Sequence, residues 1–311
     1  MTARSQDEVR CRRFELPEAP EAPGDEERAS ADLHIRYEDV AQDGRLVLEA
    51  MPQALGAVVW SRLAEGHALS AARRSGVVPV LTRLAAEGYG GPIAVGRALR
   101  AEGSWRLART EDSAGNVDRI LLDMWAVVHG IKGHTYGPRV DGAGEPVELG
   151  RVFARHVFSR LFAPPGQRKV LRLEMPGLLD VPKARASWQP LEELLELPEG
   201  AVPLEPAPNP DPAPVVFGLC HTDSNQHVNS LVYPRLFEEA VLRRLAQLGQ
   251  PTRMLARFVD VGYRKPYFAG DRARILLRAF SLGERFGAVG SFISEAEGAR
   301  PHAYLTMLLA P

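Results

Sequence analysis

Nine prolines lie between residues 182 and 214 of this 311-residue chain, and the last six are spaced two or three residues apart. Proline lacks a backbone N–H and has a fixed φ, so such a stretch cannot lie inside a helix or a sheet. We therefore expect an extended linker with two folded units beside it. The predicted organisation is a flexible tail over 1–31, a first unit over 32–180, a linker over 181–214 and a second unit over 215–311.

The composition is that of a soluble globular chain, with 45% apolar residues, 25% charged residues and a net charge of -1. This balance gives no overall attraction to nucleic acid or to an anionic membrane. No apolar run approaches the ~18–20 residues of a membrane span. The two cysteines, Cys11 and Cys220, are too few for a disulfide framework or a CxxC zinc site. We expect a cytoplasmic protein.

The second unit has the clearer pattern of elements. A short β-type run at Val215–Leu219 precedes a polar segment and then a helix over Pro234–Leu248, whose apolar residues have helical spacing. Pro234 suits the first helical turn, and Gly249 ends the helix. Four strands rich in β-branched and aromatic residues are predicted at 253–263, 271–280, 284–294 and 301–309.

The first unit repeats this order more loosely. We expect short strands at Leu33–Glu38 and Arg45–Ala50, a helix over Gln53–Arg74 and a second helical piece at Val80–Glu87. Further strands are predicted at 92–102, 104–111 and 117–129, and in the linker a helical turn at Leu191–Leu197. Two units with one order of elements indicate an internal duplication. Residue identity between them is too weak to establish it.

A long amphipathic helix followed by antiparallel strands buries its apolar stripe against a curved sheet. That arrangement is the hotdog fold, in which a sheet wraps around a central helix. The predicted fold class is therefore α+β, with two hotdog units in one chain. Edge-to-edge pairing of the two sheets would give a covalent pseudo-dimer and protect edge strands. This pseudo-dimer is expected to be a monomer or to form a homodimer.

The polar segment Asp223–Asn229 holds two of the four asparagines of the chain and lies directly before the predicted helix. N–H groups at a helix start are unpaired and partly positive, so they suit the oxyanion of a tetrahedral acyl intermediate. In an extended segment Asp223, Asn225 and His227 share one face. A carboxylate and an imidazole there can activate water. Asn225 can orient that water or hold the carbonyl, and Asn229 is interpreted as a helix cap.

This segment, with Tyr233 four residues after Asn229, resembles the Asp-x-Asn-x-His-Val-Asn-Asn-x-x-Tyr signature of acyl-ACP thioesterases and related hotdog acyl-CoA thioesterases. Glu239 falls near a glutamate often found on the central helix of that family. The resemblance is specific over 221–240, and beyond that range it rests on the order of elements and the proline-rich joint.

The resemblance implies hydrolysis of an acyl-ACP or acyl-CoA thioester to a free carboxylic acid, as in fatty acid biosynthesis and lipid metabolism. Asp223, Asn225 and His227 carry over as the catalytic network, without a metal or an organic cofactor. Two departures stand out. Ser230 replaces the second asparagine, and the further Cys, His or Glu that the family often has on a later strand is not identified, since strand 284–294 offers Ser291 near the expected place and no Cys or His.

The first unit has no such motif. Asp39 and Asp43 lie at a roughly equivalent point, without an accompanying asparagine or histidine. We expect this half to be catalytically silent and to shape the acyl pocket. Trp60 and Trp125 are expected in the core, although either can line a hydrophobic pocket.

Several alternatives stay open. His221 with Asp223 and His227 forms a possible metal pattern, and Cys220 a possible nucleophile, although we favour neither. Eight basic residues against three acidic ones over 253–285 suggest either a surface that attracts an acidic carrier protein or coenzyme A, or solvated strand faces.

The alternative function is a non-hydrolytic hotdog protein that binds an acyl group or a partner in a lipid or polyketide pathway. A dehydratase is disfavoured, because no His-Phe-Pro-Gly-like segment is present.

Overall fold

A computed structural model of the chain describes residues 14–21, 24, 27–65, 67–136, 138–174, 179–295 and 300–311. The strands before the linker are β1 (Arg28–Leu33), β2 (Val78–Gly88), β3 (Leu99–Glu111), β4 (Val117–Ile131) and β5 (Pro146–Ser159). The later ones are β6 (Val202–Pro203), β7 (Asn209–Pro210), β8 (Val215–Val216), β9 (Leu255–Tyr263), β10 (Arg272–Leu282), β11 (Arg285–Ser294) and β12 (Ala303–Ala310).

All twelve described strands belong to one antiparallel sheet, in the order β1-β3-β4-β5-β2-β9-β12-β11-β10. The short strands β6, β7 and β8 pair with the outer edge of β10. The two halves meet where β2 pairs with β9, with Ala85 opposite Asp260. The first half therefore supplies five strands and the second half four long ones, and edge-to-edge pairing joins the two sheets as expected.

One helical region packs against the sheet in each half, continuous in the second unit and interrupted in the first. In the second unit, α3 (Val232–Gln247) buries Phe237, Ala240, Val241 and Leu245, close to the predicted bounds. In the first unit the predicted single helix is interrupted. A π-helical segment at Leu55–Trp60 leads into α1 (Ser61–Glu65) and α2 (His67–Arg74). No described helix is long and apolar enough to cross a membrane.

The beginnings of the two units match residue by residue. Isolated bridges enclose the turns Val40–Leu46 and Thr222–Val228, so residue n of the first unit corresponds to residue n + 182 of the second. The same two main-chain hydrogen bonds close each turn. Each turn also has one residue at positive φ, Gly44 at 80° and Gln226 at 65°. Identical backbone conformations at a constant offset indicate that the units arose by duplication.

The same offset also matches a few identical residues in the two helical segments. Pro52 corresponds to Pro234, and the run Arg62-Leu63-Ala64 corresponds to Arg244-Leu245-Ala246. These identities are sparse, which is why the sequence did not reveal them before the backbone fixed the alignment.

Three predictions for the first unit are wrong. Val80–Glu87, expected to be helical, lies in β2. Its leucine, alanine and glutamate residues favour a helix, but the segment pairs with both β5 and β9, and tertiary pairing overrides local propensity. The strands expected at Leu33–Glu38 and Arg45–Ala50 are instead two 3-10 turns beside the bridged turn. The strands expected at 92–102 and 104–111 form the single strand β3, and β5 was not predicted.

The linker and the described part of the tail contact the sheet. A 3-10 turn at Leu191–Leu195 matches the expected helical turn. Pro203 and Pro210 pair only at the edge of β10, where a missing N–H is tolerated. β1 begins three residues before the predicted end of the tail, and Phe14 packs edge-on against Phe258. The domain boundaries themselves stay a prediction.

Candidate functional site

The segment Asp223–His227 forms a tight turn, which differs from the extended conformation assumed above. The Gln226 N–H donates to the Asp223 carbonyl at 2.9 Å, and the Asp223 N–H donates to the His227 carbonyl at 3.1 Å. Because the chain reverses within five residues, the alternating side chains do not share one face in the manner of a strand. The turn itself brings Asp223 and His227 side by side.

The Asp223 carboxylate holds this turn together. Its Oδ1 accepts the Asn225 N–H at 2.8 Å, and its Oδ2 accepts the Asn229 side-chain amide at 3.4 Å. An aspartate that bonds the backbone two residues later is the usual way to make such a turn. The Asp223 carboxylate therefore links Asn225 inside the turn to Asn229, two residues after it.

Asn229 connects the turn to the start of α3. Its Oδ1 accepts the Leu231 N–H at 2.9 Å, and its carbonyl accepts the Val232 N–H at 3.0 Å. Pro234 has no N–H to offer. Of the main-chain donors at the start of α3, the Tyr233 N–H is the one for which no acceptor is found among the described residues. The helix thus presents one free N–H beside the turn.

His227 is half-buried, and its Nδ1 lies 3.3 Å from the Val228 carbonyl oxygen. A carbonyl can only accept, so this contact assigns the proton to Nδ1 and leaves Nε2 of the neutral ring as a base. Within the described part of the chain, no hydrogen bond joins the His227 ring to the Asp223 carboxylate. The Asn225 side chain is exposed.

Two buried rings behind the turn were not singled out from the sequence. The Tyr267 carbonyl accepts the Val228 N–H at 2.8 Å, so the loop after β9 supports the turn directly. The Tyr267 ring stacks on His302, with centroids 4.0 Å apart and planes 14° apart. Neither Tyr267 Oη nor His302 Nδ1 has a hydrogen-bond partner among the described residues. Since the two residues lie on separate segments, no local pattern could have linked them to the motif.

The chemistry of these rings follows from their burial. Burial lowers the pKa of His302, and the nearby charges of Lys265 and Arg264 lower it further, so the ring is neutral at ordinary pH. Burial raises the pKa of Tyr233 to about 12. The Tyr233 hydroxyl accepts the Tyr267 N–H at 3.3 Å, which suggests a packing role for this side chain.

Glu239 pairs within α3 rather than with the turn in the contacts found among the described residues. Its side chain is exposed and lies 3.8 Å from Arg243. The neighbouring Glu238 is half-buried and accepts the Ala256 N–H at 2.7 Å, and burial raises its pKa to about 7. Ser291 lies on the opposite face of the sheet from α3, because it alternates along β11 with Phe292, which packs with the α3 core.

His221 and Cys220 lie just before the turn. The His221 Nδ1 accepts the Gly218 N–H at 3.1 Å, and Cys220 is exposed. The described residues contain no group of three His, Cys, Asp or Glu side chains placed to hold a metal ion.

The duplicated turn of the first unit has a different chemistry. Ala41 corresponds to Asp223, Asp43 to Asn225 and Arg45 to His227 under the offset of 182. The first turn therefore keeps its backbone shape without an imidazole, and its one carboxylate, Asp43, forms an ion pair with Arg257.

No protein-family model matches the sequence, and no curated protein matches it either. Solved structures do match over 91% of this chain. An acyl-ACP thioesterase from Bacteroides thetaiotaomicron has 16% identity and a TM-score of 0.56 over 98% of its own chain. A Lactobacillus plantarum protein described as an oleoyl thioesterase has 14% identity and a TM-score of 0.58 over 94% of its chain. A 12:0-ACP thioesterase from Umbellularia californica has 13% identity and a TM-score of 0.55, also over 94%. The predicted fold is thereby confirmed: this chain has the double-hotdog fold of these proteins.

Proposed function

We propose that the chain hydrolyses an acyl thioester at the turn of the second unit. The observation that carries this proposal is the position of the turn. The turn that contains His227 leads directly into α3 through Asn229, which accepts the Leu231 and Val232 N–H groups. The Tyr233 N–H at this helix start has no acceptor among the described residues. A base next to a free main-chain donor is what hydrolysis of an acyl group requires.

The reaction runs in two steps. His227 Nε2 takes a proton from water as the water oxygen attacks the thioester carbonyl carbon, and the Tyr233 N–H stabilises the resulting oxyanion. The C–S bond then breaks, and the imidazolium returns its proton to the departing thiolate. The products are a carboxylic acid and a free thiol. Asp223 acts through the turn, by holding the backbone that positions His227 and by stabilising the imidazolium with its charge. Asn225 orients the attacking water from the exposed side.

The substrate class follows from the structural likeness. The similar proteins are described as acting on acyl-ACP or oleoyl thioesters. We therefore propose acyl-ACP or acyl-CoA as substrate, with a role in fatty acid metabolism in the cytoplasm. Arg272 and Arg274 are exposed on β10 and add positive charge to this half of the molecule, which suits a phosphate-bearing or acidic partner. Arg257 is buried and contributes nothing to such a surface.

A second candidate is an acyl-binding protein without hydrolysis. It is favoured by the Asp223 carboxylate, whose two oxygens are both engaged in the turn. Such a protein would bind acyl thioesters and release no thiol.

The test is thiol release from a panel of acyl-CoA and acyl-carrier-protein substrates. We compare the wild type with Asp223→Ala and with Glu239→Ala, a carboxylate that lies exposed on α3. We expect Asp223→Ala to lower kcat/KM by about 10²–10⁴-fold and Glu239→Ala to leave it unchanged. Full activity of Asp223→Ala, or binding without turnover by the wild type, would overturn the proposal.

A further inference from the structure

The loop that follows β5, residues 160–173, presents apolar side chains to solvent among positive charges. Leu161 is 44% exposed and Phe162 is 93% exposed. The loop contains four basic residues and no acidic one, although the chain as a whole has a net charge of -1. We call this segment the β5 loop. Its charge and its apolar exposure set it apart from the average surface of the protein.

Hydrogen bonds within the β5 loop fix the position of Phe162. The Arg160 N–H donates to the Arg168 carbonyl at 2.9 Å, and the Ala163 N–H donates to the Arg160 carbonyl at 3.1 Å. Arg168 Nε donates to the Ala163 carbonyl at 2.9 Å. Phe162 therefore lies at the tip of a closed turn, and the bonds on both sides of it keep the ring away from the core.

Two basic side chains at the base of this tip are available for a ligand. Lys169 and Arg172 of the β5 loop each lie beside an aspartate. For Arg160 and Arg168, no ion pair is found within the part of the chain that the structure describes. These two residues lie opposite each other across the turn, so an unpaired positive charge is present on each side of Phe162.

The β5 loop leaves the sheet at the same end as the loop that supports the second unit's turn. β5 and β9 each pair antiparallel with β2, so β5 and β9 run in the same direction. β9 continues to Tyr267, whose carbonyl holds the turn at Val228, and β5 continues to Phe162. The apolar tip and the turn with His227 therefore lie at one end of the sheet.

We infer that the β5 loop binds an anionic lipid surface. Leu161 and Phe162 enter the boundary between headgroups and acyl chains, and Arg160 and Arg168 contact the headgroup phosphates. A protruding apolar tip matches a lipid surface, which deforms around it, whereas a protein partner would have to supply a pocket of matching shape. Basic side chains at the base of the tip add attraction to anionic headgroups.

This inference goes beyond the proposed hydrolysis and does not depend on it. Its consequence for the protein is one of orientation, because the β5 loop and the second unit's turn lie at the same end of the sheet. Binding through Phe162 brings that end toward the lipid, into which an apolar acid partitions.

The test is sedimentation with vesicles of phosphatidylcholine and phosphatidylglycerol, compared with vesicles of phosphatidylcholine alone. We expect the wild type to bind the anionic vesicles with a partition coefficient that falls as salt is added. Phe162→Ala should lower this coefficient about 10-fold, because an exposed aromatic ring no longer leaves water on binding. Arg160→Gln should lower it about 5-fold on anionic vesicles and leave binding to neutral ones unchanged.

The matched control is Tyr136→Ala. Tyr136 is 78% exposed and follows β4, which is antiparallel to β5, so it lies at the opposite end of the sheet. We expect this variant to bind vesicles like the wild type. The replaced side chains are exposed, so folding is expected to persist in Phe162→Ala and Tyr136→Ala, and thermal unfolding checks it.

Absence of wild-type binding to the anionic vesicles overturns the inference. So does a Phe162→Ala variant that binds like the wild type, or an equal loss in Tyr136→Ala. If Phe162→Ala raises KM for an acyl-carrier-protein substrate and leaves vesicle binding unchanged, the β5 loop docks an acidic protein and the inference fails. Vesicle binding requires no turnover, so a wild type that releases no thiol overturns the proposed function alone.

Discussion

Glu238→Gln should stabilise the protein, and the gain should depend on pH. The carboxyl is half-buried on α3, and burial raises its pKa from 4.5 to about 7, with Glu49 adding repulsion. A carboxyl whose pKa is higher in the folded state contributes stability below about pH 4.5, and this contribution is lost as the pH rises through about 7. Above that pH the folded protein holds an ionised group that the unfolded chain would hydrate better.

The size of this stabilisation follows from the shift in the pKa of Glu238. Each pKa unit corresponds to about 1.4 kcal/mol, and after allowance for partial exposure we expect a cost of about 2 kcal/mol at about pH 8. Gln keeps an Oε1 that can accept the Ala256 N–H, so the native hydrogen bond survives the substitution. Glu238→Gln should therefore gain about 2 kcal/mol at about pH 8 and little at about pH 4.5.

Urea unfolding followed by tryptophan fluorescence at the two pH values measures this difference. Glu239→Gln is the matched control, because Glu239 is the exposed neighbour and its pair with Arg243 spans 3.8 Å. Its free energy of unfolding should change by less than about 0.5 kcal/mol at either pH. A gain for Glu238→Gln that is the same at both pH values, or a loss at the higher one, would refute the reasoning.

Two further substitutions test the support of the turn. Tyr267→Phe removes a buried hydroxyl that has no partner among the described residues, so urea unfolding should show a gain of about 1 kcal/mol; a loss of that size would show that the hydroxyl is bonded. Asn229→Ala removes the acceptor of the Leu231 N–H and one donor to Asp223, and should cost about 1–2 kcal/mol in the same assay. An unchanged stability of Asn229→Ala would argue against its role at the start of α3.

The second unit could be predicted well from sequence because its signals are local. Apolar residues at helical spacing and the stop at Gly249 locate α3 within two residues, and the four strands fall close to their predicted bounds. The first unit was harder for a physical reason. β2 is composed like a helix, and only its pairing with β5 and β9 makes it a strand.

In the site, too, the features set by local sequence were predictable and those set by tertiary contacts were not. The motif located the turn, because residues such as Asp and Asn in this order favour local hydrogen bonds. Its shape was not predictable from alternation, since Asp223 bonds the backbone of Asn225 and reverses the chain. Tyr267 and His302 meet through tertiary contacts of separate segments.

The central claim is that the second turn performs chemistry and the first does not, although both have one backbone shape. The most direct measurement is kcat/KM for thiol release in His227→Gln and in Arg45→Gln, which changes the corresponding position of the first unit. We predict a loss of about 10²–10⁴-fold for His227→Gln and no change for Arg45→Gln. Equal losses in both variants, or an active His227→Gln, would contradict the account.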